Sequence, residues 1–233
     1  METPPVKRRA NKAKKTSKMN NIEFVVENEN NAVEKEEEQE QEEIILDDRY
    51  TKDILRVRYE NFRQAYLADE EHIKKGIPIR HQNTPEDITE NITKFIIRKY
   101  KGDQSCVWCK GVDKSIGLTG DLYSNKCDKK MPIEVKSFTS NGPSQFGPDK
   151  KFSVLYFLDL RNWLNNEIVL FKVNLSHDSS DFKNIAVSKT QTLEDQLKEG
   201  RRPHISWERI HPQIKDKNCC EQIYKGTFEN ILE

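Results

Sequence analysis

The chain is 233 residues long, enough for one globular domain plus tails. Its 39 Lys and Arg balance 39 Asp and Glu, so overall charge gives no sign of a strongly basic nucleic-acid binder. No secretory leader and no apolar run near 18 residues is present, which implies a soluble, intracellular protein.

The charge balance conceals an asymmetry. Residues 1–20 hold seven Lys and Arg against one Glu, and residues 21–48 hold one Lys against twelve acids. This stretch has few large apolar side chains and no periodicity, so residues 1–48 are expected to be a disordered tail and residues 49–233 the folded domain. The cluster at residues 7–15, with Lys7, Arg8, Arg9, Lys12, Lys14 and Lys15, suits a nuclear import signal or a phosphate-binding arm. The acidic run from Glu34 to Glu43 suits a solubilising linker.

From Tyr50 to Ile73, Ile54, Leu55, Tyr59, Phe62, Tyr66 and Leu67 recur at threes and fours, predicting a helix. A second helix is expected after Thr84 as N-cap, with Pro85 at its first position and Asp87 closing a capping box. Its apolar stripe is Ile88, Ile92, Phe95 and Ile96, leaving Glu86 and Glu90 on the other side, where a solvated acidic face competes with a functional acid. A strand over Cys106–Lys110 follows, then strands bearing Asp121 and Glu134. The unbroken apolar run within Phe152–Leu160 reads as a strand buried on both faces, and Glu167–Leu175 as another. Thr192–Glu199 reads as a short helix ending at Gly200. Together these predict an α/β fold, a mixed central β-sheet flanked by helices.

The chemistry concentrates between Thr119 and Lys136. Gly120-Asp121 is followed, after twelve residues, by Glu134-Val135-Lys136. Side chains on a strand alternate, so Glu134 and Lys136 share one face while Val135 enters the core. If the Asp121 strand lies beside them, two carboxylates and one ammonium converge. Such carboxylates suit a hard Mg²⁺ ion that keeps waters and takes phosphate oxygens. The lysine is then placed to orient the attacking water or to neutralise developing phosphorane charge.

That constellation resembles the PD-(D/E)XK nuclease superfamily, with Gly120 standing where the motif's name has proline. The order of elements from Pro78 to Leu232 resembles type II restriction endonucleases. The resemblance implies catalysis by Asp121, Glu134 and Lys136, with Glu90 as an accessory acid on the preceding helix. It implies Mg²⁺ held by Asp121, Glu134 and the main-chain carbonyl of Val135. It further implies double-stranded DNA as substrate, 5′-phosphate products, a homodimer, and a cognate DNA methyltransferase acting on the same site.

Asn141, Ser144 and Gln145, in the turn-rich segment after the Glu134 strand, are able to bond base edges or phosphates. Arg201 and Arg202 would clamp phosphate in bidentate fashion, with Arg80 and His81 a second pair for that task. Among the five cysteines, Cys106 and Cys109 have zinc-ligand spacing without a second matching pair, so small buried apolar thiols are the competing reading. The five histidines show no paired metal-ligand spacing, and no phosphate-binding Gly-rich Lys-Ser/Thr loop is present. A repair or junction-resolving nuclease on the same core, or a noncatalytic DNA-associated protein acting through its charged tails, are the alternatives.

Overall fold

In a computed structural model, residues 46–127 and 132–233 are described. The expected disordered tail, its basic cluster and its acidic run lie almost wholly outside those residues.

A six-stranded sheet forms the centre, in the order β1-β2-β3-β5-β6-β8. The strands are β1 (Val107–Trp108), β2 (Leu122–Tyr123), β3 (Ile133–Phe138), β5 (Val154–Asp159), β6 (Ile168–Val173) and β8 (Cys220–Gly226). Only β3 and β5 run parallel; every other neighbouring pair is antiparallel. A separate two-stranded ribbon pairs β4 (Pro143–Gln145) with β7 (His204–Ser206). The expected mixed α/β sheet flanked by helices is therefore present.

The alternation of β5 sorts the core into two layers. Val154, Tyr156 and Leu158 join Ile133 and Val135 of β3 beneath helices α1 (Lys52–Lys74), α2 (Glu86–Tyr100) and α6 (Phe228–Leu232). Leu155 and Phe157 join Phe138 on the opposite face. There they pack against α3 (Ser180–Lys183), α4 (Leu193–Lys198) and α5 (Trp207–Ile214). The run read as buried on both faces is buried on both faces, because each face carries a helical layer. Glu134 and Lys136 alternate with Val135 and so fall on the Phe138 side.

Helix α1 starts at Thr51, whose hydroxyl caps Ile54, but only Leu55 and Tyr59 along it are buried. Helix α2 begins one residue later than expected. Pro85 rather than Thr84 is the N-cap, and no side chain caps the helix. The Pro85 carbonyl receives the N–H groups of Ile88 and Thr89. Asp87 closes no capping box, because the N-cap Pro85 has no N–H to offer; its carboxylate accepts from Arg58 and Tyr50 instead. The stripe Ile88, Ile92, Phe95 and Ile96 is buried as read, yet so are Thr89, Glu90, Asn91, Thr93 and Lys94. The face on which a solvated reading competed with a functional acid is covered by β1 and by the segment around Asp48. Lys94 donates to Asp48 at 2.6 Å and to the Tyr50 carbonyl at 2.7 Å.

The strand expected over Cys106–Lys110 is only Val107–Trp108, and the chain turns at Cys109–Gly111. Gly111 tucks against Trp108, where a Cβ would lie 2.9 Å from the indole. The helix at Leu193–Lys198 matches its reading, with a Thr192–Asp195 capping box and Gly200 at φ +70°. No described helix is long and apolar enough to cross a membrane.

Candidate active site

Asp121 sits at the entry to β2, immediately after Gly120. The glycine has φ +90°, and a Cβ there would approach Pro132 Cγ to 2.3 Å. Proline cannot hold a positive φ, which accounts physically for glycine rather than proline ahead of Asp121. The main-chain carbonyl of Asp121 receives the Cys109 N–H at 3.1 Å, fixing the backbone. Its carboxylate Oδ2 accepts the Val135 N–H at 2.9 Å. One bond thus joins the two halves of the motif, Asp121 and the Glu134–Lys136 strand.

On β3, the Lys136 ammonium donates to Glu134 Oε1 at 2.6 Å. Glu134 Oε2 is buried and has no hydrogen-bond partner. An unpartnered buried carboxylate oxygen is costly unless something else binds it. The Lys150 ammonium lies 3.7 Å from that oxygen and 3.9 Å from Asp121 Oδ1. Asp121 is buried, and burial, then the Glu134 charge, pushes its pKa above the ordinary carboxylate value.

Glu90 approaches from α2. Its Oε2 accepts the Trp108 indole N–H at 2.5 Å, and the Lys110 ammonium reaches both carboxylate oxygens at 3.0 and 3.3 Å. Burial, then the Asp121 charge, pushes the Glu90 pKa up to about 7. The Glu86 carboxylate pairs with Lys110 and is largely exposed, whereas Glu90 is buried, near enough to Asp121 for their charges to interact.

An open cleft of about 1100 Å³ is walled by Glu90, Asp121, Glu134, Lys136, Lys150 and Arg202. Val135 borders the same cleft. Among the described residues, no group of three or more His, Cys, Asp or Glu side chains is arranged to hold a metal alone. Among the described residues, Glu134 Oε2 has no hydrogen-bond partner and none is seen for Asp121 Oδ1; both lie near the Lys150 ammonium and fit a hard cation that completes its shell with water and substrate oxygens. Cys106 and Cys109 are buried thiols whose ionisation burial suppresses, and the Cys109 thiol donates to the Thr119 carbonyl.

The residues read as DNA contacts separate. Gln145 is exposed on the ribbon, opposite His204, and Arg202 is exposed at the cleft. Ser144 is buried beside Ile205. Asn141 accepts from Arg161 at 2.8 Å, and Arg201 pairs with Glu199. Arg80 is exposed, whereas His81 is bonded to Glu70 and stacked on Tyr66. Sequence reasoning missed Lys110 and Lys150, since neither lies in a motif. Trp108 and His204 likewise belong to no motif that would mark them.

Residues 47–211 match the model of the Bsp6I restriction endonuclease family. The chain belongs to the Bsp6I restriction endonuclease family. It is similar to the type II restriction enzyme Bsp6I of Bacillus sp. strain RFL6, with 30% identity over 151 residues. That alignment covers 64% of this chain and 78% of the relative. No solved structure matches. The matched span contains Glu90, Asp121, Glu134, Lys136, Lys150 and Arg202, so every wall of the cleft named above lies within it. The chain is thereby a type II restriction-like endodeoxyribonuclease.

Proposed function

We propose that this restriction-family nuclease is Mg²⁺-dependent and cuts both strands of duplex DNA at one short sequence. The observation that carries the reading is the Val135 N–H bond to Asp121, which sets a second carboxylate beside Glu134 and Lys136. Asp121 and Glu134 would hold the metal, with the Val135 carbonyl as a further ligand. When bound, Mg²⁺ lowers the pKa of a coordinated water and polarises the scissile phosphate.

The chain's own residues supply the rest. Lys136, held by Glu134 within the cleft, orients the attacking water and offsets charge as the phosphorane forms. Glu90, with a pKa near neutrality, is suited to take the proton from that water. Attack in line with the leaving 3′ oxygen produces a 5′-phosphate.

A two-stranded ribbon fits the width of the DNA major groove. Gln145 and His204 lie opposite one another on the exposed edge of β4–β7, so we assign base reading to this pair. Arg202 grips backbone phosphate at the cleft mouth. Asn141 and Arg201 reach DNA only if Arg161 and Glu199 release them, and Ser144 only if the ribbon that buries it shifts. Cutting both strands of a palindrome calls for a homodimer, and self-protection calls for a methyltransferase acting on the same site. The nuclease domain is taken as residues 49–233, with the cluster at 7–15 as a phosphate-binding arm or import signal.

Digestion of plasmid and linear duplex DNA with Mg²⁺, beside an EDTA control, tests this reading. Discrete bands with mapped 5′-phosphate ends are expected, and neither Asp121→Ala nor Lys136→Ala should cut while both still bind DNA. Undiminished cutting by both variants, or cutting in EDTA, would refute it. Cleavage of branched DNA alone would instead indicate a junction-resolving enzyme.

A further inference from the structure

We propose that Lys150 is a built-in counter-ion of the metal site, occupying the cation position in the free enzyme and giving way when a divalent metal enters. This rests on the reading that Asp121 and Glu134 are the metal ligands. The four oxygens of these carboxylates divide cleanly. Asp121 Oδ2 is taken by the Val135 N–H and Glu134 Oε1 by the Lys136 ammonium. The other two, Asp121 Oδ1 and Glu134 Oε2, are the atoms left for a cation. Both face the Lys150 ammonium, at 3.9 and 3.7 Å.

Those separations exceed hydrogen-bond length, so the ammonium balances charge without being locked in place. Lys136, bonded at 2.6 Å and mostly covered, is locked. The Lys150 side chain is 51% exposed and follows the Gly147-Pro148 turn, where its N–H is held only by a 3.3 Å bond to the Gly147 carbonyl. A four-carbon stem anchored there has room to swing toward the cleft mouth without moving the sheet.

Two consequences have opposite signs. A divalent metal must displace the ammonium, so Lys150 weakens metal binding. Without metal, Asp121 and Glu134 outnumber the Lys136 ammonium and would repel a phosphate, so Lys150 strengthens binding of DNA. A residue that merely supported the fold would alter both in the same direction.

The test is binding of Mn²⁺ to the full-length, DNA-free protein, followed by electron paramagnetic resonance, with duplex affinity measured separately in EDTA. Lys150→Met should bind Mn²⁺ about tenfold more tightly, the size of an ordinary coupling between neighbouring sites. It should bind DNA several-fold more weakly in EDTA, and Lys150→Arg should restore that DNA affinity. Unchanged or weaker Mn²⁺ binding by Lys150→Met, with binding in the parent that Asp121→Asn abolishes, overturns the role of Lys150 and leaves the metal ligands standing. If Mn²⁺ binds the parent and Asp121→Asn equally well, the ligand assignment fails, and this inference with it. Absence of binding in the parent and both variants defeats both in the same way.

Discussion

The main-chain N–H of Val135 donates to the Asp121 carboxylate at 2.9 Å, so the acid of the first half-motif is aimed by the strand that carries the second. One oxygen of Asp121 is structural and the other faces Lys150 and the cleft. Asparagine keeps an oxygen for the Val135 N–H but removes the charge a metal needs. Asp121→Asn is therefore expected to reduce single-turnover cleavage by at least about 10²–10³-fold, the scale for removing one electrostatic contributor at a reacting centre. Its thermal midpoint should stay within a few degrees of the parent. A fall of ten degrees or more alongside the lost activity would show a structural acid instead.

Gly120 is expected to tolerate no side chain. Alanine there meets Pro132 at 2.3 Å and must hold φ +90°, so the backbone carrying Asp121 has to move. Strain of this kind costs about 1–3 kcal/mol. Urea unfolding of Gly120→Ala should show that loss together with reduced cleavage. Parent-like stability and activity would mean the turn is softer than its contacts indicate.

Glu90 makes the metal-free protein sensitive to pH. Its folded-state pKa, about 7, stands above the ordinary 4.5 because burial and the Asp121 charge disfavour the anion. The folded state therefore binds this proton more tightly than the unfolded chain. Its stabilising contribution is complete below about pH 4.5 and is lost as pH rises through about 7. Urea midpoints of the metal-free protein should decline across that window. The decline should be shallower in Glu90→Gln, and an identical slope in both proteins would remove Glu90 as its source.

Gln145 and His204 face each other across the ribbon, and the next pair along it, Ser144 and Ile205, is buried. Replacing either exposed residue by alanine should relax preference at one base position by about 1–3 kcal/mol, the usual worth of a good base contact. Sequencing of ends released from a randomised duplex library reads this directly. An unchanged recognition sequence in both variants would place base reading elsewhere.

What was legible in the sequence was what repeats locally. The i, i+4, i+7 and i+8 stripe from Ile88 to Ile96 revealed α2, and the alternation of Glu134, Val135 and Lys136 put both charges on one face. The unbroken apolar run of β5 announced its two covered faces. Contacts made across distant segments were not legible. Glu90 is buried because Trp108 and Lys110, eighteen and twenty residues on, close over it. The turn-rich segment after β3 contains a strand because β7, some sixty residues later, supplies its partner. Lys150 belongs to no motif and joins the site only because the loop beyond the ribbon folds back over Asp121 and Glu134.

The central claim is that one cation is shared by Asp121 and Glu134. Fe²⁺ substituted for Mg²⁺, with ascorbate and peroxide, cuts the polypeptide beside wherever the metal is held. Cuts next to Asp121 and Glu134, suppressed by excess Mg²⁺ and absent in Asp121→Asn, are the predicted result. Cuts confined to another part of the chain, or cuts at these residues that persist in Asp121→Asn, would contradict it.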